Sequence, residues 1–249
     1  MLSKKIVNKW LKRFKVELHG TSYLQSLKRG QFKANEFDFF KKVFQGKEIV
    51  IFDVGANRGN KTAEFLQIFP SAGVHSFEPY KPLFDEMKNK FLHVQNVNLY
   101  NLGVSSRKGK IKFNVNKGVD TSSFLESKYT GLNSDAQVST VEQLDLEVDT
   151  LDNITQGMAS RINLLKLDIQ GSELEALKGA EKLLSMKKID VIFTESYFIQ
   201  QYVGQPLFSE IVSFLLPFGY VIQDIYNPIY GDGKLAWCDV IFIRNDLKI

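Results

Sequence analysis

A chain of 249 residues with 44% hydrophobic and 24% charged side chains is long enough to bury one sizeable α/β core, and two full domains would be a squeeze. Its single cysteine, Cys238, excludes an intrachain disulfide, fits a reducing cytoplasm, and reads as a small buried apolar residue. The net charge of +4 conceals an asymmetry, because residues 1–48 carry 12 Lys and Arg against 4 Asp and Glu, whereas the remainder carries 20 against 24.

The basic excess defines an N-terminal extension, residues 1–48, ahead of a mildly acidic body, residues 49–249. Leu2, Ile6, Trp10, Phe14 and Leu18 recur every four residues among lysines, which predicts an amphipathic basic helix over 2–18. Two readings of it stay open. Its apolar face packs on the core or on a second copy in a homodimer, or it attaches peripherally to an anionic membrane surface. Lysines interrupt it throughout, so it is neither a signal peptide nor a membrane span. No stripe of aromatic and basic residues offers a nucleic-acid platform.

Ile49 to Phe52 is an apolar, β-branched run of the kind buried on both faces of a parallel sheet. It ends in Asp53-Val-Gly-Ala-Asn-Arg-Gly, where Gly55 and Gly59 suit a tight strand-to-helix turn, and helical periodicity follows from Asn60 to Phe69. This is a nucleotide-binding corner. The G-x-G-x-x-G string of dinucleotide sites is absent, and an acid at the strand end opposes a pyrophosphate but suits a cationic sulfonium and ammonium, as in S-adenosylmethionine. The motif D-V-G-A-N-x-G resembles the first motif of the FkbM family of S-adenosylmethionine-dependent methyltransferases.

Gly73 to Phe77 predicts a second strand, followed by Glu78 and Pro79. Glu78 stands 23 positions after Gly55, near the spacing at which an acid on the second strand bonds ribose hydroxyls. The Phe-Glu-Pro triplet is similar to the second FkbM motif. A helix carrying Leu83, Phe84 and Met87 comes next, then a strand from Val97 to Gly103. By resemblance Gly103, Val104 and Ser105 border the adenine. Lys110 to Val115 alternates like an exposed strand after a hairpin turn at Arg107-Lys-Gly. Residues 116–140 read as a long functional loop, in which Thr121-Ser-Ser-Phe matches a serine-rich active-site segment of the family.

Val141 to Leu151 predicts another strand, ending in a T-L-D that resembles the family's own. Leu164 to Leu167 is a buried strand delivering Asp168, and Gly171-Ser-Glu opens a helix with Leu174, Leu177, Ala180, Leu183 and Leu184 as its apolar stripe. The string K-L-D-I-Q-G-S-E resembles the FkbM motif K-x-D-x-Q-G-x-E. A third strand, Ile189 to Ser196, delivers Glu195. Helix Phe208 to Leu216 and a closing antiparallel hairpin, Tyr220–Ile225 with Leu235–Ile243, complete the chain.

The resemblance spans residues 49–243 and implies a Rossmann-like class I methyltransferase fold, a seven-stranded, mostly parallel α/β sheet with an antiparallel closing hairpin. It implies S-adenosyl-L-methionine as cofactor, with Asp53, Gly55, Ala56, Asn57, Gly59, Glu78, Gly103, Val104 and Asp168 as candidate contacts. The acceptor is a hydroxyl of a saccharide or glycan, or of a polyketide-type or other small molecule; a non-catalytic adenosylmethionine-binding module and a dehydrogenase are the competing readings. None of the three histidines stands at a strand end facing the crevice, so Asp168 and Glu195 are the candidate bases, with Asp168 equally able to order the cofactor. Convergence of Asp168, Glu173, Glu195 and Asp239 on a divalent metal is weighed as well, and no metal ligand is assigned.

Overall fold

The computed structural model describes residues 35–128, 135–158 and 161–248, so the basic helix expected over 2–18 lies outside the described residues. The chain divides after Phe39, and the unit Phe40–Ile249 holds the sheet and every candidate site residue. Among the described residues the strands of its first half are β1 (Val50–Val54), β2 (Gly73–Phe77), β3 (Val97–Tyr100), β4 (Gly103–Val104), β5 (Gly109–Asn116) and β6 (Thr140–Asp149). Those of its second half are β7 (Ile162–Leu167), β8 (Ile189–Tyr197), β9 (Tyr220–Gly231) and β10 (Lys234–Arg244).

The main sheet has seven strands in the order β3-β2-β1-β7-β8-β10-β9. β3, β2, β1, β7 and β8 run parallel, and β10 is antiparallel to both β8 and β9. The order reverses between β1 and β7, so a crevice opens beyond their carboxyl ends, where ligands of open α/β sheets bind. The expected architecture is the one found.

Helices cover both faces. Phe40, from α1 (Glu36–Phe44), meets Phe65 of α2 (Asn60–Ile68) and Phe193 of β8, with ring centroids 6.4 and 5.5 Å apart. Ile192 is the next residue along β8 and therefore points to the other face. There it joins Leu177, Leu184, Ile211 and Leu215 in the largest apolar cluster. These residues come from α6 (Glu173–Lys178), α7 (Glu181–Ser185) and α8 (Phe208–Leu215), which follow α3 (Lys81–Lys90), α4 (Asp135–Val138) and α5 (Leu151–Ile154) in the chain.

Four local expectations are corrected. The strand expected to run from Val97 to Gly103 stops at Tyr100, because Asn101 Nδ2 donates to the carbonyls of Glu78 and Pro79, each at 2.9 Å, where the chain turns away. The residues beyond it enter a separate three-stranded sheet, β4-β6-β5, in which β4 and β5 both pair with β6 and form no hairpin with each other. The helix after Gly171 is two short helices, broken where Gly179 lets the Ser105 carbonyl approach. The closing hairpin is longer than expected and carries Pro228 within β9, an edge strand where a missing N–H is tolerated.

The T-L-D string has a structural role. Thr150 Oγ1 accepts from the Asn153 amide at 3.1 Å and caps α5, Leu151 is fully buried, and the Asp152 carboxylate accepts from the Lys182 and Leu183 amides at 3.0 Å, capping α7.

The glycine break is testable. A Cβ at Gly179 would fall 2.1 Å from the Ser105 carbonyl oxygen, whereas one at Gly73 would meet nothing within 4 Å. Gly179→Ala should cost about 1–3 kcal/mol in urea unfolding, the usual cost of an overpacked site. Gly73→Ala should be neutral or stabilise by up to about 1 kcal/mol. Equal midpoints for the two variants would contradict the packing described.

Candidate active site

The site grows from the end of β1. Asp53 is fully buried, and its Oδ2 accepts from Thr62 Oγ1 at 2.6 Å. Its Oδ1 lies 3.0 Å from the ammonium of Lys166, a contact whose angle is ionic rather than that of an aligned hydrogen bond. Lys166 Nζ donates to the Gly55 carbonyl at 2.8 Å and reaches Asp168 Oδ2 at 3.7 Å. Burial alone would pull the Lys166 ammonium down, but Asp53 and Asp168 outweigh it and hold it above its ordinary value. One side chain of β7 therefore ties the turn after β1 to the acid at the end of β7.

That turn is tight. Gly55 has φ of 76°, and a Cβ there would lie 1.9 Å from the Asp168 carbonyl oxygen, so the glycine is demanded by the neighbouring strand. The Gly55 and Ala56 amides both donate to the Phe77 carbonyl, at 3.0 and 2.9 Å. Asn57 presents its amide to Glu78 Oε2 at 2.9 Å, and Tyr80 presents its amide to Oε1 at 2.8 Å. Glu78 is buried yet lines a cavity, and burial pushes its carboxyl up to about 7 against these two donors.

The cavity is lined by Gly55, Asn57 and Glu78, by Tyr80, Leu83, Phe113 and Phe124, and by Asp168, Gln170 and Glu195. Half of its apolar wall comes from the second sheet and the loop after it, with the Phe113 and Phe124 rings edge to face at 5.0 Å, and half from Tyr80 and Leu83 at the start of α3. A flat heterocycle suits such aromatic walls, and a buried carboxylate suits a pair of hydroxyls, so these residues fit a nucleoside.

Several expected contacts lie elsewhere. Asp53, expected against the cofactor's cation, turns inward to Lys166 and Thr62. Ala56 is buried beside Met87 and Phe91, and a Cβ at Gly59 would strike the Phe91 ring at 2.4 Å, so both serve the helix packing. Gly103 abuts Phe124 and Val148, and Val104 is buried in the main apolar cluster. The adenine border expected at Gly103–Ser105 is thus one layer behind the lining, which Phe124 itself supplies.

Asp168 and Glu195 do come together. Gln170 Nε2 lies 3.2 Å from Asp168 Oδ1 and 3.2 Å from Glu195 Oε2, bridging the two carboxylates. Gln170 has φ of 53°, a sparsely populated conformation for this residue type. It is held there by Tyr202, whose hydroxyl lies 2.7 Å from Gln170 Oε1, and by Ser123, whose hydroxyl donates to the Gln170 carbonyl at 2.6 Å. Glu173 is almost fully buried and accepts from the Ile169 and Gly171 amides at 3.0 and 3.2 Å, pinning the same turn. This accounts for the spacing in Asp168-Ile-Gln-Gly-Ser-Glu.

The two acids sit in different surroundings. The Asp168 side chain is 48% exposed. Glu195 takes a hydrogen bond from the Tyr197 hydroxyl, and burial first, then the charges of Asp168 and Glu173, raise its pKa well above the usual carboxylate range. Among the described residues no group of three His, Cys, Asp or Glu gathers to hold a metal ion, so the convergence weighed for Asp168, Glu173, Glu195 and Asp239 is not formed. Tyr80, Phe113, Tyr197 and Tyr202 were not singled out from the sequence, while Lys166 and Gln170 stood in the K-x-D-x-Q-G-x-E string and Phe124 in Thr121-Ser-Ser-Phe without a role of their own. A lone lysine inside a buried strand, two positions before an acid, was the available signal for Lys166.

Residues 53–222 match the Methyltransferase FkbM domain. The 2-O-methyltransferase NoeI of Sinorhizobium fredii (strain NBRC 101917 / NGR234) is 26% identical over 181 residues, covering 70% of this chain and 74% of that protein. An rRNA methylase from Streptococcus thermophilus aligns with a TM-score of 0.48 and 12% identity over 84% of this chain and 93% of that one. SMU.1697c from Streptococcus mutans, solved in complex with SAH, aligns with a TM-score of 0.48 and 14% identity over 84% and 95%. Among the described residues no helix is long and apolar enough to cross a membrane. With the domain match extending over more than half of its length, the chain belongs to the FkbM family and is an S-adenosylmethionine-dependent methyltransferase.

Proposed function

We propose that the chain is an O-methyltransferase acting on a saccharide or glycan hydroxyl, with Asp168 as general base and Glu195 as its protonated partner. The observation that carries this is the pairing of an accessible carboxylate with a half-buried acid of raised pKa in the cavity that Glu78 and the aromatic wall also line. An oxygen acceptor is supported by the 2-O-methyltransferase relative. A saccharide is supported by the indole, amide and carboxylates that line the adjoining cavity.

S-adenosylmethionine supplies a methyl group already activated by its sulfonium, so positioning and exclusion of water do much of the work. Glu78 receives the ribose hydroxyls, the wall of Tyr80, Leu83, Phe113 and Phe124 takes the adenine, and the turn at Gly55–Asn57 shapes the floor. Asp53 contributes through that turn, which it steadies from inside by way of Lys166. Asp168 accepts the proton of the acceptor hydroxyl. Glu195, its pKa raised by burial and by the charges of Asp168 and Glu173, donates a hydrogen bond in its protonated form and orients the acceptor oxygen. In this reading the catalytic body spans residues 49–249, residues 1–48 are an accessory basic extension, and the compartment is the cytoplasm.

Two outcomes follow. Ribose hydroxyls donating to Glu78 stabilise its ionised form, so the carboxyl at about 7 in the free protein drops on binding. Calorimetric affinity for adenosylhomocysteine should therefore plateau above about pH 7 and fall below it by up to about tenfold per pH unit, the limit for one linked proton. Glu78→Gln should weaken binding and flatten the profile; a pH dependence that persists in this variant would place the titrating group elsewhere.

The second outcome concerns the acids. Asp168→Asn should lower kcat by about 10²- to 10⁴-fold, while Kd for adenosylhomocysteine changes by less than about threefold. Glu195→Gln replaces a protonated acid by an amide of like shape and should cost less. A larger loss in Glu195→Gln than in Asp168→Asn would reverse the assignment of base and donor.

A further inference from the structure

A second cavity opens on the other side of the two carboxylates. Asp168 and Glu195 line both cavities, but the second is completed by Asn227, Trp237 and Asp239 from the closing hairpin, over an apolar base that includes Leu167 and Phe193. Nothing in the cofactor cavity comes from that hairpin, and neither the aromatic wall nor Glu78 reaches the second cavity. The two spaces therefore share only the region around the acids, and each has its own chemistry.

We infer that this second cavity is the acceptor subsite and that Trp237 is its sugar-stacking platform, an assignment that rests on the saccharide reading above. The chemistry of the lining fits a pyranose ring. An indole face packs against the apolar C–H face of a sugar, while planar amides and carboxylates take its hydroxyls in pairs. Trp237 is half-buried and lies near the Tyr197 ring, 6.2 Å away between centroids and tilted by 32°. Asn227 Nδ2 donates to Asp239 Oδ2 at 2.8 Å, which fixes both side chains and leaves the exposed Asn227 Oδ1 to accept from a hydroxyl.

The pairing of the hairpin supports this placement. β10 pairs Trp237 with Tyr197 and Asp239 with Glu195, so the sheet itself sets both residues beside the acid near the end of β8, and Asn227 lies on the neighbouring β9. The pairing of β10 with β9 has register shifts around Trp237, between Leu235 and Trp237 and between Trp237 and Asp239, which re-aim side chains as bulges next to active sites do. A sugar held on Trp237 and the Asn227–Asp239 pair presents a ring hydroxyl to Asp168, the more exposed of the two carboxylates that line both cavities.

The test is labelled-methyl transfer from S-adenosylmethionine into the total glycan fraction of the producing cell, at acceptor concentrations where rate is proportional to acceptor. Trp237→Ala and Asn227→Ala should each reduce the rate at least about tenfold, a typical loss for a central aromatic or polar contact. Trp237→Phe should recover most of it, and Kd for adenosylhomocysteine should stay within about threefold in all three variants, each checked for cooperative unfolding. Wild-type rates in Trp237→Ala and Asn227→Ala would overturn the subsite while leaving the saccharide reading intact. Loss of adenosylhomocysteine affinity in step with rate would assign the cavity to the cofactor and overturn it as well. Label entering a non-glycan fraction, with none in glycans, would overturn the saccharide reading itself and the sugar assignment with it.

Discussion

The structure depends on a lysine buried between two carboxylates. Lys166 lies buried near the end of an apolar strand, where an unpaired ammonium would be prohibitively costly, and its charge is matched by Asp53 at 3.0 Å and Asp168 at 3.7 Å. Because Asp53 ends β1 and Asp168 follows β7, the pairing fixes the relative positions of the two strand ends between which the crevice opens. The Gly55 carbonyl is held by the same ammonium, and Gly55 has no Cβ to push against the Asp168 carbonyl. Charge, backbone and sterics agree on one arrangement of the turn.

Around that fixed point the molecule divides its tasks. The main sheet supplies the acids, all at or just beyond the carboxyl ends of parallel strands, and the smaller sheet with its following loop supplies Phe113 and Phe124 to an apolar wall that Tyr80 and Leu83 complete from the start of α3. A network through Gln170 connects them, since Ser123 from the loop and Tyr202 from beyond β8 both hold the residue that bridges Asp168 and Glu195. Burial and the charges of Asp168 and Glu173 raise the pKa of Glu195, so two carboxylates of similar chemistry sit in unlike surroundings.

Much of the sheet was legible because its strands are short apolar runs that stop at an acid or a glycine, and Glu78, Asp168 and Glu195 stand where those runs end. The direction of Asp53 was not legible. At a strand end the acid can turn into the crevice or into the core, and the deciding partner, Lys166, lies more than a hundred positions away on a neighbouring strand. The aromatic wall was hidden for a related reason. Phe113 and Phe124 read as part of an exposed strand and a loop until pairing with β6 and the bridge from Asn114 to Ser123 fold them over the crevice. Gly179 likewise looks like an interior glycine of one helix until Ser105, from the second sheet, is seen to need the space.

The central claim is that Asp53 and Lys166 act as one unit that holds the site, and a double-mutant cycle measures this directly. Asp53→Asn, Lys166→Met and the double variant would be compared with the wild type in urea unfolding and in adenosylhomocysteine binding. Removing either partner alone leaves a buried charge uncompensated, with an expected cost of about 3–5 kcal/mol. The double variant should cost clearly less than the sum of the singles, with a coupling of at least about 1 kcal/mol, and both singles should weaken binding. Additive losses in stability, together with unchanged binding in both single variants, would show that the pair neither couples the two strands nor supports the crevice.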